Sequence, residues 1–114
     1  MELRVVESTG HHTHVALSGK LDVEGERQIG TEFEQLTAHA GKAAVVDMTE
    51  VTYLASLGIR LLFKCAKSLA AQGQKMVVLN PQPMVEETLM TSGTAQFIPI
   101  VRSLDEALAI LKAE

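Results

Sequence analysis

A chain of 114 residues with 46% hydrophobic content has enough apolar side chain for one packed core and too much for a disordered segment. Ten basic against 14 acidic residues, a net charge of −4 and a pI near 5.5 argue against direct nucleic-acid binding, which favours a basic surface. No apolar run reaches the length of a membrane span, and Met1-Glu2-Leu3-Arg4 lacks the basic-then-apolar layout of a secretion signal; the expectation is a cytoplasmic single domain over residues 1–114 without membrane insertion.

The first forty residues predict two strands and a helix. Leu3 to Glu7 and His14 to Ser18 read as a hairpin around the turn residues Ser8-Thr9-Gly10. His11, His12 and His14 invite a metal reading, and His12 and His14 would share a strand face. No Cys, Asp or further His stands at ligand spacing to complete such a site, so neither a metal nor another cofactor is expected. Asp22 follows Gly19-Lys20-Leu21, and its plain reading is a helix N-cap or a turn. Ile29, Phe33, Leu36 and Ala40 then recur at helical spacing, with Glu24 and Glu26 near the helix start.

The middle of the chain, Ala43 to Gly73, is the most informative stretch. Ala43 to Val46 is a short apolar run of the kind a buried strand uses. Asp47 ends the run, Met48-Thr49-Glu50 read as a connection, and Val51, Tyr53 and Leu54 form a second apolar anchor. Ile59, Leu62, Phe63, Ala66 and Ala70 predict the inner face of a helix that Gly73 stops, with Ser56 as its N-cap. Cys65, the single cysteine, falls mid-helix as a buried thiol. From Val51 to Leu79 there are four basic residues and no acidic one, so this segment carries +4 and the remainder of the chain −8. Arg60, Lys64 and Lys67 lie at i, i+4 and i+7, one ridge that starts near Ser56. The plainer account of the ridge is a solvated helix face.

The last forty residues continue the alternation. Lys75 to Leu79 is a strand, and Pro83 opens a helix that Ser92-Gly93 ends. Met84, Val85, Leu89 and Met90 are expected to face inward. Phe97 to Val101 reads as an edge strand because Pro99 has no N–H to donate. Ser103 with Glu106 forms a capping box ahead of Leu104, Ala107, Leu108 and Leu111. The predicted fold class is α/β: an initial hairpin followed by βαβ units, giving a mixed sheet.

The run Val45-Val46-Asp47-Met48-Thr49, Tyr53-Leu54, Ala55-Ser56-Leu57-Gly58 resembles the signature of the STAS domain, the fold of bacterial anti-sigma-factor antagonists. Gly19-Lys20-Leu21-Asp22, Leu89 to Gly93 and Ser103 to Ala107 resemble further features of that family, so the resemblance covers nearly the whole chain. It implies helices packed mainly on one face of the sheet. It also implies a partner that is both an anti-sigma factor and a serine-protein kinase, with room for a phosphoserine phosphatase. Ser56 matches the serine that regulated members phosphorylate, and Asp22 lies in the loop near it. Partner binding would then involve Asp22, Ala55, Ser56, Leu57, Gly58, Arg60, Lys64 and Lys67. Ala55 replaces the family's usual Asp, and Leu57 a common Ser or Ala.

Three functional classes follow. In the first, the unphosphorylated chain binds the anti-sigma factor and releases it when Ser56 is phosphorylated. In the second, which Ala55 and Leu57 favour, the chain is a constitutive STAS subunit of a transporter or secretion-regulating complex. In the third, Leu54-Ala55-Ser56-Leu57-Gly58 is a nucleophile elbow. That motif lacks its first glycine here, and all four histidines precede the serine, opposite to the hydrolase order; no enzymatic activity is expected.

Overall fold

The structure is a computed structural model that describes residues 1–112. Five strands form one sheet in the order β1 (Glu2–Ser8), β2 (His12–Leu21), β3 (Ala43–Leu54), β4 (Met76–Leu79) and β5 (Ile100–Val101). The β1–β2 hairpin is antiparallel, and every later pairing is parallel. The intervening helices are α1 (Val23–Leu36), α2 (Ser56–Ala71), α3 (Pro83–Thr91), the single turn α4 (Thr94–Phe97) and α5 (Leu104–Lys112).

Side chains alternate across a strand, so β3 feeds two cores at once. Ala44, Val46 and Met48 join Val15, Leu17 and Leu21 of β2 under Ile29 and Phe33 of α1, Leu61, Leu62 and Cys65 of α2, and Val85 and Leu89 of α3. Val45 points the other way and packs with Val77, Leu79, Val101 and Ala107 beneath α5. Burial on both faces explains why Ala43 to Val46 is continuously apolar rather than alternating. Helices thus lie mainly on one face, with α5 alone of the longer helices on the other.

Several boundaries differ from the sequence expectations. Met48-Thr49-Glu50 is not a connection: β3 runs unbroken to Leu54, because Ser18 to Leu21 of β2 continue the ladder with Glu50 to Leu54. The expected strand over Phe97 to Val101 shrinks to Ile100–Val101, and Phe97 ends α4. β5 is an edge strand as expected, and the Pro99 carbonyl accepts the Val78 N–H at 2.9 Å. α1 stops at Leu36, where the buried Thr37 hydroxyl donates back to the Phe33 carbonyl; Ala40 is exposed beyond it. In α2 the buried face is Gly58, Leu61, Leu62, Cys65, Ala66 and Leu69, while Phe63 and Ala70 stand outside it. In α3 only Val85 and Leu89 of the four expected residues are buried; Met84 is 73% and Met90 60% exposed. A nine-residue helix on a sheet has one narrow inner stripe, and i, i+4 spacing fills it.

His14 is an exception to ordinary core chemistry. It is 6% exposed, and neither ring nitrogen has a hydrogen-bond partner among the described residues. Desolvation pulls its pKa below the ordinary 6.5; Asp47 opposes the shift, His12 adds to it, Glu7 opposes it and Arg4 adds to it. With the folded value depressed, the unfolded chain takes up the proton first on acidification. The stability that neutral His14 permits is therefore complete above about 6.5 and falls as pH drops through that value toward the folded one. His14→Leu is expected to shrink the loss of melting temperature between pH 7.5 and pH 5.5 by on the order of a few degrees in thermal melts. An unchanged difference would place the acid sensitivity elsewhere.

Candidate functional site

The carboxyl ends of β2 and β3 bring most of the expected site residues together. Leu21 and Leu54 are register partners, so the β2–α1 turn at Asp22 lies beside the β3–α2 turn at Ala55. The Ala55 N–H donates to the Leu21 carbonyl at 3.0 Å and ties the turns to each other. Asp22 is the N-cap of α1: its carboxylate accepts the Gly25 N–H at 2.9 Å. Gly58 makes a close approach, since a Cβ there would lie 2.6 Å from Leu21 Cγ and 2.7 Å from the Leu21 carbonyl oxygen. α2 can start against the end of β2 because residue 58 has no side chain.

Ser56 is not the cap of α2. Ala55 holds the N-cap position in extended conformation, with the Ile59 N–H on its carbonyl, and Ser56 is the first helical residue. Because Ala55 has no polar side chain, no side-chain hydrogen bond caps this helix start. The Ser56 side chain is exposed and its hydroxyl makes no hydrogen bond among the described residues. It is a free hydroxyl at the positive end of a 16-residue helix, where added negative charge is favoured.

The basic ridge is divided. Lys64 Nζ donates to Glu34 Oε1 of α1 at 2.8 Å, and this hydrogen bond is the first cause of its raised pKa. Leu57, Arg60, Leu61 and Lys64 line a small cavity of about 220 Å³ with Glu26 and Glu34, so Leu57, Arg60 and Lys64 all border the α1–α2 seam. Arg60 and Lys67 make no ion pair among the described residues, and together with Lys64 they border a second cavity of about 550 Å³ that reaches from Ser56 to Ser92 and Thr94. Phe63 lies between them, its ring centroid 5.0 Å from that of Phe97 and 5.8 Å from Lys67 Nζ. Phe63, Phe97, Ser92 and Thr94 were not among the residues expected from the sequence. Ser56, Arg60, Phe63 and Lys67 share the spacing i, i+4, i+7 and i+11, a stripe on which Phe63 can be read as a surface residue rather than as core. Nothing in the sequence signals that Phe97 meets it, because that contact depends on the α4 turn.

Cys65 is fully buried, and burial raises its thiol pKa, as suits an inert core residue. Among the described residues no group of three or more His, Cys, Asp or Glu side chains is placed to hold a metal ion, and no helix is long and apolar enough to cross a membrane.

A five-stranded mixed sheet with an antiparallel opening hairpin and a free serine starting the helix after its central strand defines a STAS-type α/β domain. The chain belongs to the STAS domain family, whose profile it matches over residues 3–107. BtrV of Bordetella bronchiseptica, named as a candidate anti-sigma factor antagonist, is 25% identical over 96 residues, which cover 84% of this chain and 83% of BtrV. Among solved structures the fold is similar to an anti-sigma factor antagonist from Mycobacterium paratuberculosis (TM-score 0.82, 20% identity, 98% of this chain and 96% of that one). It is also similar to the anti-sigma factor antagonist SpoIIAA in its unphosphorylated form (0.79, 17%, 99% of each chain) and its phosphorylated form (0.71, 18%, 97% and 100%).

Proposed function

We propose that this protein is an anti-sigma factor antagonist: unphosphorylated, it binds an anti-sigma factor that is also a serine kinase, and phosphorylation of Ser56 releases that partner. The observation that carries the reading is the free, exposed Ser56 hydroxyl at the first position of α2, beside the tightly packed Leu21–Gly58 contact. The names of the relatives and the two solved states of SpoIIAA support it. A phosphate adds about −1.5 to −2 charge. At a helix start that charge is favoured by roughly 0.3–1 kcal/mol, so the fold tolerates it. In a close interface the same charge must be desolvated or meet like charge, at a cost of several kcal/mol. The difference between these two magnitudes is the switch. The protein acts in the cytoplasm as a binding partner rather than an enzyme, and a phosphoserine phosphatase resets it. Incubation with the cognate kinase and ATP, followed by mass spectrometry, is expected to show one phosphate, on Ser56. An unmodified protein in the presence of the active kinase would favour instead a constitutive STAS subunit of a transporter or secretion-regulating complex.

Ala55 sets the rate of this step. The N-cap position adjoins the acceptor hydroxyl, and a carboxylate there could cap the first turn of α2 and orient the serine. Ala55→Asp is expected to be phosphorylated several-fold faster than the natural chain in a timed kinase assay. Equal rates would show that the N-cap side chain plays no part in phosphoryl transfer.

A further inference from the structure

The cavity that starts at Ser56 does not end at Phe63. On the far side of the Phe63–Phe97 ring pair, a further cavity of about 310 Å³ follows α2 past Ala66 and Ala70 to Pro99. The two cavities share no lining residue; they follow α2 on either side of that ring pair as two halves of one interrupted groove, the second also bordered by Lys75 and Ile110. We propose that this groove seats an extended acidic segment of the partner protein, with an apolar side chain of that segment set against the Phe63–Phe97 pair. The proposal rests on reading α2 as the partner-facing helix and adds the chemistry of what it faces.

Charge, apolar exposure and length each support that occupant. Arg60 and Lys67 are without an ion pair among the described residues, and no acidic side chain of those residues lines either cavity. Lys64 borders the first cavity too but is already held by Glu34, and Arg60 also borders the α1–α2 seam without pairing with an acid there. Phe63 is 38% and Phe97 42% exposed, so an aromatic pair stands between the two cations with part of its surface in water. Such a site suits an acidic chain carrying an apolar anchor, in which the rings bury area and the cations set register and encounter rate. α2 has 16 residues, about 24 Å at 1.5 Å per residue. About seven residues of extended chain span that length at 3.3 Å each. Four basic side chains border the two cavities, Arg60, Lys64, Lys67 and Lys75, one of them held by Glu34; on a chain of net charge −4 that is few for a nucleic-acid backbone, and a groove between two helical segments is narrower than a lipid surface requires.

The test is a fluorescein-labelled octapeptide, Glu-Asp-Glu-Leu-Phe-Glu-Asp-Glu, titrated with the full chain by anisotropy at low and high salt and mapped by amide chemical shifts. Saturable binding is expected, weaker at high salt, with shifts centred on Arg60, Phe63, Lys67, Thr94 and Phe97. Arg60→Glu with Lys67→Glu should weaken it at least tenfold, and Phe97→Ser severalfold, with melting temperatures of both variants confirming the fold. Absence of saturable binding, shifts centred elsewhere, or equal binding of a lysine-substituted peptide, a single-stranded oligonucleotide or phosphatidylserine vesicles would overturn the proposal. Ser56→Asp separates the two readings: it should weaken the peptide because Ser56 lines the groove. Peptide binding that this variant leaves unchanged would count against the groove as drawn, whereas a kinase that fails to modify Ser56 on a chain that binds the peptide would keep the groove and count against the Ser56 switch.

Discussion

Gly58→Ala is expected to destabilise the protein by ~2–3 kcal/mol and to displace the start of α2. The added methyl would lie 2.6 Å from Leu21 Cγ, 2.7 Å from the Leu21 carbonyl oxygen and 2.9 Å from Leu54 Cδ1. A flexible side chain could move aside, but the Leu21 carbonyl cannot easily do so, since it already accepts the Ala55 N–H. Alanine is the better helix former by about 1 kcal/mol, which offsets only part of the clash. The helix start must move, and Ser56 moves with it. The substitution should therefore lower the urea midpoint and also impair partner binding in the fraction that remains folded. Gly10→Ala is the control: nothing lies within 4 Å of its Cβ, and a change within ~0.5 kcal/mol is expected. Equal midpoints for the two variants would show that the contact between α2 and β2 is looser than the geometry states.

Ser56→Asp is expected to leave the melting temperature essentially unchanged and to weaken binding to the anti-sigma factor by at least about 100-fold. Each factor of ten is 1.4 kcal/mol, and burying an unmatched charge in an interface costs ~2–5 kcal/mol. Aspartate brings less charge than phosphate, so the phosphorylated protein should bind more weakly still. Ser56→Ala should fold and bind like the natural chain, because the hydroxyl makes no hydrogen bond among the described residues and does not cap its helix. If Ser56→Ala were itself destabilised, Ser56 would have a structural role that its position in α2 does not suggest.

Much of the fold was legible in the sequence because the signals were local. The turn at Ser8 to Gly10, the N-cap at Asp22, Pro83 at the first position of α3 and Gly93 after its end each specify backbone conformation within a few residues. Ser103 likewise caps α5: its hydroxyl accepts the Glu106 N–H at 3.2 Å, and Glu106 turns back to that hydroxyl at 3.3 Å rather than to the backbone. What failed depended on tertiary partners. Met48 to Glu50 looked like a loop because Thr49 and Glu50 are polar, yet β2 pairs through this stretch and holds it extended. Met84 and Met90 are apolar and helical, but whether they are buried depends on what α3 leans on, and the sheet takes only Val85 and Leu89.

The site divides in the same way. The order of residues around Ala55-Ser56-Leu57-Gly58 put Ser56 at a helix start near the loop at Asp22, and the structure sets the two turns side by side. One residue of the cap assignment was misplaced, because Ser is a strong N-cap and Ala a poor one, and here the Ala55–Leu21 backbone bond decides the helix start. The spacing of Arg60, Lys64 and Lys67 gave a single ridge, and all three border one cavity, but long side chains follow their partners, and only Lys64 is paired, with Glu34 of α1.

The central claim, that the charge state of Ser56 governs partner binding on an unchanged fold, is tested most directly by calorimetric titration of the cognate anti-sigma factor. The natural chain and the same chain phosphorylated on Ser56 would be titrated side by side, with thermal melts of both. The account predicts measurable binding for the first, loss of at least two orders of magnitude for the second, and melting temperatures that agree closely. Equal affinities, or a loss of affinity accompanied by unfolding of the phosphorylated chain, would contradict it.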